Sequence, residues 1–185
     1  MVVWIFPAIK QYKNKYFFFF LILALSSFFI IATRFIFNTN SNLPVIFIGC
    51  LIIISLVRKD KIKHVLFWIV PFYIIVFIIA LYLNNRFFEL YVSLFLMLAV
   101  FYIIVTDFFN FSIVHQEINI FLSTLMFYMA LTIFKKLNVL VTVYEGMFFY
   151  FITSAFQLLI GVFFSLYSFD NTKLNIKITS KKNSL

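Results

Sequence analysis

Only 11% of the residues in this 185-residue chain are charged, so the few side chains able to hold or move a proton stand out. Glu145 is the most suggestive. It lies six residues into the apolar run from Val139 to Phe169, and Gly146 follows it. A stripe of small and polar residues then continues as Gly146, Tyr150, Ser154, Gln157, Gly161, Ser165 and Ser168. Steps of three and four residues are the helical repeat, so the stripe occupies one face of one helix. Thr142 and Thr153 flank it.

Two kinds of chemistry suit such a face. As structure, small and hydroxylated residues let helices approach closely in lipid, and a glutamine hydrogen-bonds across the gap. The last helix would then pack against its neighbours or a second copy of the chain, with Glu145 reaching headgroups, Lys135 or Lys136. As function, the face lines a polar path, with Glu145 binding a proton or cation and Gln157 deeper in. A seam alone does not make a pore, and packing is the favoured reading.

An ionisable group at membrane depth costs about 2.5 to 3.5 kcal/mol on insertion scales, which makes the remaining charges informative. Arg34 stands three residues before the end of the first apolar run, where its long side chain can snorkel to the interface. Asp107, His115 and Glu117 share the segment DFFNFSIVHQE, read as a partly immersed polar loop. A metal ion needs three or four converging donors. His115 and Glu117 are two positions apart and share no helical face, and the other histidine, His64, belongs to a different loop. No metal site is expected.

The chain has no H-E-x-x-H, no G-x-S-x-G, no P-loop, no glycine-rich dinucleotide fingerprint and no potassium-filter motif. It holds one cysteine, Cys50, and three glycines, Gly49, Gly146 and Gly161. The expectation is a protein without catalytic residues or cofactor, and not an enzyme.

The elements that must carry these residues follow from hydropathy. With 65% hydrophobic residues and a mean hydropathy of +1.10, the chain has too little polar surface to cover a water-soluble particle. A helix crossing about 30 Å of hydrocarbon needs about 20 apolar residues. That ruler marks spans near 16–37, 44–57, 65–83, 90–106, 118–134 and 139–169, followed by a short basic polar tail over 170–185. The predicted fold is an all-α polytopic transmembrane helix bundle of about six spans. Five is the alternative, because 44–57 and 118–134 are short. Continuous apolar runs, not alternating ones, exclude a membrane barrel. Pro71 falls inside the third span, where a kink is expected.

The net charge of +9 sits between apolar runs, not along one face, which argues against nucleic acid as a partner. Lys10, Lys13 and Lys15, the Arg58 to His64 loop and the Lys-rich tail instead suit the positive-inside rule. The amino terminus and tail are thus expected in the cytoplasm of a cell-membrane protein. Its expected partners are the lipid bilayer and a second copy of the chain or another membrane protein. Lys135 and Lys136 fall on the opposite side and fit this scheme least.

Overall fold

A computed structural model describes residues 2–37, 41–83, 85–141 and 146–177; Glu145 and Thr142 lie outside them. The described chain is an all-α bundle. Helix α1 (Ile5–Lys10) is short and follows a single 3-10 turn at Val2–Trp4. Then come α2 (Phe17–Phe37), α3 (Leu43–Leu56), α4 (Ile62–Leu83), α5 (Arg86–His115), α6 (Ile120–Val141) and α7 (Gly146–Leu166). A two-stranded antiparallel pair joins β1 (Glu117–Asn119) to β2 (Asn175–Lys177). Five helices are long and apolar enough to cross a membrane, and α3 is a shorter apolar helix of 14 residues. In lipid, backbone groups can be satisfied only within the segment, which is why apolar runs of this length become helices.

The helix ends are written locally. Pro44 lies in the first turn of α3, where its missing N–H has no partner to lose. The Asn85 side chain accepts from the Phe87 N–H and caps α5. Gln116, at φ 51°, takes the left-handed conformation that ends α5 and turns the chain into β1. Asn119 then caps α6 by accepting from the Leu122 N–H at 3.0 Å, while its amide donates to Asn175 across the strand pair.

Helix α5 is the centre, with α3 on one side and α6 on the other. Gly49 of α3 faces Leu96 of α5, and a Cβ there would lie 3.1 Å from the leucine Cδ1, so the two backbones run unusually close. Helix α4 packs chiefly on α3, and α7 on both α6 and the first segment. The first segment, residues 3–16, wedges between α2 and α7. Trp4 packs in a tilted arrangement against Tyr128 of α6 with ring centroids 4.7 Å apart, beside an aromatic knot of Phe20, Phe121 and Phe164.

Three boundaries differ from the hydropathy reading. The 90–106 segment belongs to a helix that runs to His115, so most of the supposed 107–117 loop is helical. At 30 residues α5 is about 45 Å long, about 15 Å more than the thickness of a bilayer's hydrocarbon core. The 118–134 segment continues as helix to Val141, and the last helix begins at Gly146, not at 139. The two lysines that suggested a loop are therefore inside a helix. Within the 170–185 tail, Asn175–Lys177 pairs with β1.

Glu89 escaped the sequence reading because it stands at the mouth of a span. It is only 6% exposed. Its carboxylate accepts from the Ser41 hydroxyl at 2.8 Å and from the Asn42 N–H at 2.5 Å, at the start of α3. A carboxylate there meets the positive end of the helix dipole. Replacing Glu89 with Ala is expected to cost about 1 to 3 kcal/mol by stranding these donors. Thermal unfolding in detergent checks it; an unchanged midpoint would show that water replaces the carboxylate freely.

Candidate functional site

The stripe on α7 turns inward, and two kinds of neighbour meet it. Toward the start of α7 the neighbour is α6. Lys135 Nζ donates to Ser154 Oγ at 2.8 Å and lies 3.7 Å from the centre of the Tyr150 ring. One turn deeper, Gln157 Nε2 donates to Thr132 Oγ1 at 3.0 Å. On the other flank of α6, Lys136 Nζ donates to Ser93 Oγ of α5 at 2.9 Å, and Ser93 is 1% exposed.

One rule governs all three contacts. Each hydroxyl spends its single proton on a carbonyl of its own helix: Ser154 on Tyr150, Thr132 on Tyr128, Ser93 on Leu90. Only its lone pairs face the neighbour, so the neighbour must be a donor. Lysine and glutamine supply that need.

Nearer the other end of α7 the stripe meets the first segment. A Cβ on Gly161 would lie 2.8 Å from Val3 Cγ1. Ser168 Oγ accepts from Asn14 Nδ2 at 2.6 Å. Gln11 is fully buried; its amide donates to the Tyr167 carbonyl at 2.8 Å and its oxygen accepts from the Phe169 N–H at 3.1 Å. Val3, Trp4 and Gln11 were invisible as site residues beforehand. Only the run VVWIFPAI, apolar yet too short to span, could have signalled a segment that dips into the bundle.

The other candidates are scattered. Gly146 opens α7. Arg34 is exposed on the last turn of α2. Asp107 lies at the opposite end of the bundle, where Lys15 Nζ and the Tyr16 hydroxyl donate to it at 2.5 and 3.2 Å. His115 packs against Phe111 in a tilted arrangement with ring centroids 4.5 Å apart, and Glu117 is in β1. Among the described residues no three His, Cys, Asp or Glu side chains converge as metal ligands would.

The lysines are the energetic anomaly. They stand five and six residues before the end of α6, about 8 to 9 Å inside it. An interhelical hydrogen bond in lipid returns about 0.6 kcal/mol, with about 1.7 as a measured maximum. A lysine at mid-span costs about 2.5 to 3.5. For Lys136 one serine offsets only part of that, Lys135 has the Tyr150 ring face beside its serine, and among the described residues neither ammonium has a carboxylate within salt-bridge range.

No family model, curated protein or solved structure matches this chain. The geometry therefore carries the reading alone. The protein is a membrane-embedded bundle with a polar seam in the half of α6 and α7 near their connection and an aromatic knot in the other half.

Proposed function

We propose that this protein is a non-enzymatic subunit or scaffold of a cell-membrane assembly, working through helix contacts with a second membrane protein or another copy of itself. The observation that carries this reading is the internal use of the α7 stripe. Its polar groups bond to α6 and to the first segment, which suits a face built for packing. A continuous conducting path would have to pass the Trp4, Tyr128, Phe121 and Phe164 side chains, where α2, α6 and α7 meet. The partner surface we assign is the outer face of α4. That helix rests mainly on α3 and presents Phe67, Trp68, Ile74, Ile78 and Tyr82 outward. The basic residues at positions 10, 13, 15, 58, 61 and 63 favour a cytoplasmic location for their end.

The test is crosslinking in native membranes from single cysteines at Ile74 or Ile78, in a Cys50→Ser background. We expect a discrete crosslinked species from α4 positions and none from Phe28 on α2. Absence of any such species, together with solute flux in vesicles holding the purified protein, would replace this reading with that of a transporter.

A further inference from the structure

We propose that residues 3–12 are a hinged strap whose docking on α7 fixes the start of the tail, so that displacing Val3 from Gly161 inside the bundle frees the β1–β2 pair at its end. The strap is held on one side. Pro7, Ala8 and Gln11 are buried, whereas Ile5, Phe6, Ile9 and Tyr12 are exposed. Helix α1 has six residues, too few to be stable without its neighbours. Its order therefore depends on docking.

The hinge is Lys13. At φ 74° it holds the left-handed conformation that favours glycine, a local cost that the docked contacts must offset. Past the hinge the chain is fixed, because Lys15 Nζ and the hydroxyl of the buried Tyr16 both donate to Asp107 of α5. Before the hinge, Val3 meets Gly161, five residues or about 8 Å short of the end of α7. The strap thus runs from inside the bundle to its rim. There Gln11 bonds to the Tyr167 carbonyl and the Phe169 N–H, and it also receives the Asn14 amide that donates to Ser168. Strand β2 begins six residues after Phe169. A two-stranded pair with three residues on each side is marginal by itself, so its pairing relies on where Gln11 holds the chain.

Hydrogen exchange of the full chain in detergent, read by mass spectrometry over residues 3–12 and 167–177, tests this. Lys13→Pro leaves every buried side chain in place but cannot adopt a positive φ. It should speed exchange in both segments by at least about tenfold, the scale of losing one or two hydrogen bonds. Lys13→Gly, which accepts the conformation, should not. Faster exchange over 3–12 alone would overturn the proposal, as would no change in either segment. Equal acceleration by Lys13→Gly would trace the effect to the missing lysine and overturn the hinge. Should Lys13→Pro also speed exchange throughout α5, the bundle itself has failed and a lock decides. Val3→Cys with Gly161→Cys, in a Cys50→Ser background, puts the two Cβ atoms 4.0 Å apart, within the range that a disulfide spans. The oxidised chain should exchange more slowly over 167–177 than the same chain reduced. Equal exchange in the two states, or failure of the disulfide to form, rejects the strap.

Discussion

Replacing Gln11 with leucine is expected to lower the thermal midpoint of the detergent-solubilised protein by roughly 6 to 12 °C, the consequence of losing about 3 kcal/mol in a chain of this size. Helix α7 ends at Leu166, and the last carbonyls of a helix have no partner within it. Gln11 supplies one from the other end of the sequence. Its amide donates to the Tyr167 carbonyl, and more weakly to that of Phe164 at 3.5 Å, while its oxygen accepts from Phe169 and from Asn14 at 3.3 Å. Leucine fills the space but strands a carbonyl and an N–H, at about 1 to 3 kcal/mol for each buried group. Circular dichroism melts of wild type and variant provide the measurement. A midpoint within experimental error of wild type would mean that water reaches these groups and that the first segment is not structurally coupled to α7.

Gly161→Leu should expel the first segment from the bundle. The leucine Cβ alone would fall 2.8 Å from a methyl of Val3, a β-branched residue with little rotamer freedom to yield, and three further carbons would follow it. Overpacking of this kind costs about 1 to 3 kcal/mol when the backbone can shift. Here the shift available is undocking of residues that a wedge of side chains, not a helix ladder, holds in place. Trp4 reports it, because leaving Tyr128 and Phe20 moves its indole into a more polar setting. In a Trp68→Phe background, Trp4 is the sole tryptophan. Its emission should shift to the red and become quenchable by aqueous iodide in Gly161→Leu, and much less so in Gly161→Ala. Unchanged emission in the leucine variant would refute the wedge.

That prediction also answers the choice left open by the stripe on α7. The pattern of Gly146, Ser154, Gln157 and Gly161 told of a face buried in protein, since small and polar side chains are poorly suited to face lipid. It could not name the occupant. The described structure supplies two occupants from the same chain: α6 beside Ser154 and Gln157, and residues 3–14 beside Gly161 and Ser168. The contact between Gly161 and Val3 joins positions 158 residues apart, a relation to which local periodicity is blind.

The sequence by itself determined the physical class and most of the helices. Runs of about 20 apolar residues admit one solution in lipid, a backbone bonded within its own segment, and α2, α4 and α7 were legible on that ground. Tertiary structure decided what charge had obscured. Lys135 and Lys136 read as a loop because a transfer scale charges each residue as though it faced lipid, but the bundle offers them Ser154 and Ser93, and α6 passes through to Val141. Asp107 read as a loop for the same reason, yet α5 continues past it to His115, with its carboxylate paired to Lys15. Glu89 and Gln11 gave no signal at all, because their role is to satisfy backbone groups at the ends of α3 and α7. Which ends need help, and which side chain is close enough to give it, exists only once the helices are packed.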